Sequence, residues 1–172
     1  MRKIVALLFA VVMMYSCQDN LEPIELTTST SISETVAVSI PQTTGTPISY
    51  DETTIQDLNQ LISNLNSVTG INIDLLTYTF KNVTGNTNAV IQSGSIVVNG
   101  NTIAMISNVN IAQEANGGTV FAITDTAVLD QIEALLLNDS NVTVQVSGMA
   151  LSDDGPINFE VELHLNLTIT LQ

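Results

Sequence analysis

The sequence predicts a mainly β domain: an antiparallel β-sandwich of about seven strands with two short helices. Three observations carry that expectation. Phe159, Val161, Leu163, Leu165, Leu167, Ile169 and Leu171 alternate with Glu160, Glu162, His164, Asn166, Thr168 and Thr170. Strict period two over that length describes a strand with one buried and one wet face, the habit of antiparallel sheets. Asn99-Gly100 separates two runs of β-branched residues, and the pair suits a two-residue type I′ hairpin because both residues tolerate positive φ. The composition leans on Thr, Asn, Ser, Val and Ile and contains no Trp, and β-branched side chains fit a pleated surface.

Along the chain, Val36, Val38 and Ile40 alternate with small or polar neighbours and stop at Pro41, which predicts a first strand at a sheet edge. A turn-rich stretch follows from Gln42 to Pro47. Ser49 or Asp51 is then placed to cap a helix, with Asp51-Glu52 in the first turn, where the helix dipole favours acids. Ile55, Leu58, Ile62 and Leu65 give that helix one apolar face, and Gly70 ends it. Ile71, Ile73 and Leu75 start a strand that runs toward Lys81 and turns at Thr84-Gly85-Asn86. Ala89–Val98 and Thr102–Ile111 flank the Asn99-Gly100 hairpin; a loop at Asn116-Gly117-Gly118 and a short strand around Val120 and Ile123 follow.

A second helix starts at Thr124 or Asp125, with Val128, Leu129, Ile132, Leu135 and Leu136 on its apolar face. Val142, Val144 and Val146 alternate up to Gly148, and Asp153-Asp154-Gly155-Pro156 turns into the last strand. That strand is expected in the middle of a sheet, since seven apolar residues at an edge would leave a greasy ribbon. Asp51, Ile55, Leu58 and Ile62 also echo Asp125, Leu129, Ile132 and Leu136 at an offset of 74, so a duplication is one reading of the two halves. The sandwich is loosely similar to immunoglobulin-like sandwiches but lacks their Cys–Trp–Cys core, so that likeness names no family.

The N-terminus carries a different signal. Met1-Arg2-Lys3 bears two positive charges, Ile4 to Tyr15 bears none, and Ser16-Cys17 is followed at once by polar Gln18-Asp19-Asn20. A short basic region, an apolar run and a small residue at a cut site make an export signal. The run is too short for a spanning helix, which needs about 20 residues. The chain's single cysteine closes it. This junction resembles the lipobox of bacterial lipoproteins, in particular the looser Bacteroidetes-type that reads Ser-Cys. Met14 stands where the pattern prefers Leu, and Tyr15 departs from it. The resemblance covers roughly Met1 to Asn20. It implies cleavage after Ser16, lipidation of Cys17, and a protein lipid-anchored in the cell envelope at the outer membrane. The expected organisation is a signal peptide over 1–16, a flexible acidic tether over 17–35 and one β-sandwich domain over 36–172.

Without Met1 to Ser16, 156 residues remain (172 − 16), about one domain's worth. Lys81 then stands alone against 17 acids, a formal charge of −16 (1 − 17). Such a surface repels nucleic-acid phosphates and anionic lipid heads, so nucleic acid is excluded as a partner. The expected partners are the membrane, through the N-terminal lipid, and an unknown protein or uncharged ligand.

No catalytic set is legible. His164 is the only histidine, so no multi-histidine metal site can form, and its place on the polar face of the last strand reads as solvated. There is no Gly-x-Ser-x-Gly turn. Glu160 and Glu162 would lie roughly 7 Å apart on one strand face, but with no Trp there is no sugar platform beside them. Asp153-Asp154-Gly155 reads as a solvated turn. Asp125-Thr126-Ala127 resembles an O-glycosylation motif of Bacteroidetes-type exported proteins, at a place where a helix wants Asp and Thr in any case. The expectation is therefore no catalytic, metal or cofactor residue, and Cys17 as the one modified position.

Function follows as a non-enzymatic binding or accessory module at the envelope. The alternative is a structural envelope component that assembles with other proteins through a sheet edge. The first requires exposed aromatics, such as Tyr50, Tyr78 or Phe121, around a pocket or concave patch. The second requires a long unprotected edge strand.

Overall fold

A computed structural model describes residues 25–57, 68–139 and 141–171. The elements are β1 (Leu26–Ile40), β2 (Ile48–Asp57), β3 (Val68–Gly85), β4 (Val90–Val98), β5 (Asn101–Asn110), α1 (Ile111–Gly117), β6 (Phe121–Ala122), α2 (Thr126–Asn138), β7 (Asn141–Leu151) and β8 (Ile157–Leu171). The strands form two four-stranded sheets in the orders β1-β8-β3-β6 and β2-β7-β4-β5, and every pairing is antiparallel. The antiparallel sandwich is thus as expected. Its strand order is that of an eight-stranded jelly roll, a double Greek key, rather than the seven-stranded immunoglobulin order.

β8 takes the place its alternation requires. It pairs with β1 on one side and β3 on the other, and Ile157, Phe159, Val161, Leu163, Leu167 and Ile169 are buried between the sheets. The hairpin forms where expected, with Asn99 at φ 44° and Gly100 at φ 83°. α2 starts on the Asp125 cap, whose carboxylate accepts the Ala127 N–H at 3.0 Å. Ile132 and Leu136 are buried on its inner face.

Three expectations are corrected. The helix capped at Ser49 or Asp51 does not form, because Ile48–Asp57 is strand β2, paired with β7 from Ile48↔Ala150 to Asp57↔Asn141. The rest of that expected helix, 58–67, lies outside the described residues. Local helical spacing loses here to a ten-residue ladder with a partner some 90 positions away, a tertiary override of propensity. The tether expected over 17–35 does not hold for 26–35, which belong to β1 and pair with β8, most of their Ser and Thr residues being exposed. Third, Ile111–Gly117 is helix α1, capped by Asn110, whose side chain accepts the Gln113 N–H at 2.8 Å, and closed by left-handed Gly118. The supposed internal duplication fails with the first helix. The segment after Asp51 is strand and that after Asp125 is helix, and β3 and β7 lie in different sheets.

An aromatic cluster fills one part of the core: Tyr78 stacks on Phe121 at 4.8 Å, and Phe80 meets Phe159 edge-on at 5.9 Å. In the other sheet Gly94 and Gly148 face each other across β4 and β7, and the Tyr50 hydroxyl sits over both. That hydroxyl is buried and has no hydrogen-bond partner among the described residues. Burial pushes the Tyr50 phenol up to about 12. The folded state therefore holds this proton more tightly than the unfolded chain does. The associated stability is complete below pH 10 and is lost as pH rises through about 12. Denaturant titrations from about pH 9 to 12 are expected to show this alkaline loss shrinking in Tyr50→Phe. Tyr78, raised by burial and then by Glu114, contributes in the same direction. At neutral pH Tyr50→Phe is expected to be neutral or to stabilise by about 1 kcal/mol, since it removes an unsatisfied buried group.

Candidate functional site

Cys17, the one position the sequence marks for modification, lies outside the described residues. The remaining candidates fall on four surfaces: the outer face of the β1-β8-β3-β6 sheet, the loop tip, the space between the sheets, and the β1 edge.

On the outer face, His164 Nδ1 lies 2.8 Å from Ser33 Oγ. A serine beside a histidine invites a nucleophilic reading, but the neighbouring pairs explain it. Ser31 Oγ donates to Asn166 Oδ1 at 2.7 Å and Ser39 Oγ to Asn158 Oδ1 at 2.7 Å. Each of these serines on β1 meets the β8 residue directly opposite it in the ladder. The Ser33–His164 contact is one rung of that series. Glu160 accepts from Asn82 Nδ2 at 2.6 Å, and Glu162 is ion-paired with Lys81, so neither stands as a free acid or base. An open groove of about 500 Å³ runs beside them, with Thr79, Lys81, Val120, Glu162 and His164 in its walls.

At the tip, three loops are tied together. The Asp153 carboxylate accepts from Thr43 Oγ1 at 2.6 Å and from the Gly45 N–H at 2.7 Å, and these bonds hold it below the usual carboxylate range. Asn88 Nδ2 donates to Asp154 at 3.0 Å. The Asp153-Asp154 turn is therefore a loop clasp. Asp51 accepts from Gln145 Nε2 at 2.7 Å. Among the described residues no group of three or more His, Cys, Asp or Glu is placed to hold a metal ion.

Between the sheets an apolar cavity of about 40 Å³ is lined by Ile32, Leu76, Ile132 and Leu163 among others, far below the several hundred Å³ that small-molecule pockets occupy. The aromatics that a binding patch would need are not displayed. Tyr50 and Tyr78 are 7% and 6% exposed, and Phe121 is half-buried in its stack with Tyr78.

The β1 edge is different. β1 is 15 residues long and, among the described residues, pairs with β8 on one side only. Edge strands are ordinarily guarded by charges, proline, bulges or shortness. β1 has no proline and one charge, Glu34, whose carboxylate accepts from Thr54 Oγ1 across the sandwich at 2.9 Å. Two other edges are better guarded: β2 carries Asp51, Glu52 and Asp57, and β6 is two residues long; the ten-residue β5 has neither charge nor proline but is shorter than β1 and holds Asn108 at φ 52°. Sequence reasoning missed most of this surface by placing 26–35 in the tether. The available cue was the run of Thr, a β-favouring residue, between Leu26 and Ile32.

No protein-family model matches the chain, and no curated protein matches it. Among solved structures, the chain is similar to the decameric BFDV capsid protein at 10% identity and a TM-score of 0.42, covering 84% of this chain and 99% of that one. The 60-mer BFDV capsid protein is similar at 10% identity and a TM-score of 0.39, covering 86% and 95%. A structure of infectious bursal disease virus, Gx strain, follows at 9% identity and a TM-score of 0.30, covering 86% and 32%. These values carry no statement about function.

Proposed function

We propose that this is an exported, non-enzymatic lipoprotein, anchored in the outer membrane through Cys17, that assembles with protein in the cell envelope through the edge of β1. The observation that carries the reading is that edge: 15 residues long and, among the described residues, unpaired on one side, with no charge presented outward. It is supported by the burial of Tyr50 and Tyr78, which removes the exposed aromatics that the ligand-binding reading required. With Leu26 nine positions after Cys17, the connection spans at most about 30 Å.

Two outcomes are expected. Intact-mass analysis of membrane-extracted protein shows a mature N-terminus at Cys17 carrying two or three acyl chains, because one chain anchors only marginally. An unmodified thiol, or a different N-terminus, removes the anchor from the proposal. Gentle detergent extraction yields an assembly larger than one chain, and Thr27→Lys with Thr35→Lys reduces it to a monomer without moving the unfolding midpoint. Both positions are exposed, and edge lysines block strand addition. An assembly that survives the two lysines, or a wild-type protein that extracts as a monomer, overturns the edge reading.

A further inference from the structure

We infer that the occupant of the β1 edge is the β1 edge of a second copy of this chain, paired antiparallel about a two-fold axis at Ser31; this rests on the edge reading above. The outward residues of β1 are Thr27, Ser29, Ser31, Ser33, Thr35, Ala37 and Ser39, each exposed, and the first five of them read the same in both directions. About Ser31, Thr27 meets the second copy's Thr35, Ser29 meets Ser33 and Ser31 meets itself. Opposed Thr and Ser residues are favourable cross-strand pairs. On the inward face the same axis sets Leu26 against Val36, Thr30 against Ile32, and Thr28 against Glu34, so the only carboxylate of the strand meets a hydroxyl and not its own copy.

Charge points to the same edge. Two copies at −16 each repel one another, so a self-contact belongs where acids are few, and β1 carries one, Glu34. On the neighbouring strand the Glu162 carboxylate is paired with Lys81. The product is a continuous eight-stranded sheet with both β2-β7-β4-β5 sheets on one side. A two-fold contact of this kind closes on itself and leaves no further β1 edge to propagate. The two Leu26 ends lie at opposite ends of the shared strand pair.

The sign of the salt response separates this from a basic partner. Repulsion between like-charged copies is screened by salt, so raising NaCl from about 50 mM to about 500 mM is expected to tighten the dimer several-fold. An assembly with a basic protein would weaken over the same range. The direct test is a cysteine at the axis. Residues facing across an antiparallel pair have Cα atoms about 4.5–5.5 Å apart, within disulfide reach.

Full-length chain carrying Ser31→Cys, oxidised mildly in detergent, is expected to link to itself. Ala37→Cys, exposed on the same face, has its symmetry mate far along the strand and is expected to stay unlinked, as is the unsubstituted chain with Cys17 alone. Both substitutions replace exposed small residues, and unchanged circular dichroism confirms that the chains are folded. Equal linking at 31 and 37, or none at 31, overturns the two-fold. An extracted assembly that the Thr27 and Thr35 lysines dissolve, but that contains one copy of this chain and weakens with salt, overturns the second copy while leaving the edge reading intact.

Discussion

Phe159→Ala is expected to lower the stability of the domain by about 3–5 kcal/mol, the range for truncating a buried aromatic. Phe159 is 2% exposed, lies opposite Val38 in the β1–β8 ladder and meets Phe80 edge-on. Its loss opens a cavity between strands already locked in register, which therefore cannot collapse to fill it. His164→Ala, on the other face of the same strand, is expected to cost under about 0.5 kcal/mol, as surface changes usually do. Among the described residues its ring bonds to exposed Ser33. Chemical denaturation of both variants checks the register of β8, since a one-residue slip would exchange the two costs.

Gly148→Ala is expected to cost about 3 kcal/mol, the upper end of ordinary overpacking. A Cβ at Gly148 would lie 2.3 Å from the Ser93 carbonyl oxygen, 2.7 Å from the Gly94 Cα and 2.8 Å from the Tyr50 hydroxyl. Two of those three atoms are backbone in the paired strand, so rotating Tyr50 away relieves only one. If Gly148→Ala in a Tyr50→Phe background regains most of the loss, the clash is with the hydroxyl. If it regains little, the close approach of β4 and β7 sets the requirement for glycine.

Local signals in the sequence led to the elements they govern. β8 was legible because seven apolar residues at period two admit one reading. The Asn99-Gly100 hairpin was legible because few other pairs tolerate positive φ at both positions, and α2 because Asp125 precedes a run with a clear apolar stripe. β2 was not legible. Asp51-Glu52 and the spacing of Ile55 and Leu58 mimic a helix start, whereas Ile55 in fact lies 68% exposed on the outer face of a strand. β1 was half legible. Its C-terminal part alternates with buried Val36, Val38 and Ile40, but Leu26–Thr35 is too polar to announce a face. Its pairing is with residues more than 115 positions away, and no local pattern encodes a partner at that distance. Pro41 marked this strand as an edge, as it is, and the same limit hid how far that edge extends. Which of its sides is left open is a property of sheet order, which emerges only when β8 has been placed between β1 and β3.

Amide hydrogen exchange along Leu26–Ile40 in the gently extracted, full-length protein tests most directly whether the β1 edge is the working surface. Alternate amides of an edge strand face its neighbour, and the rest face outward. In the assembled protein both sets are expected to exchange slowly, and Thr27→Lys with Thr35→Lys is expected to release the outward set while the β8-facing set stays protected. Fast exchange of the outward amides in the unsubstituted protein, at the rate seen in the lysine variant, would mean that the edge is bare and that this jelly roll works through some other surface.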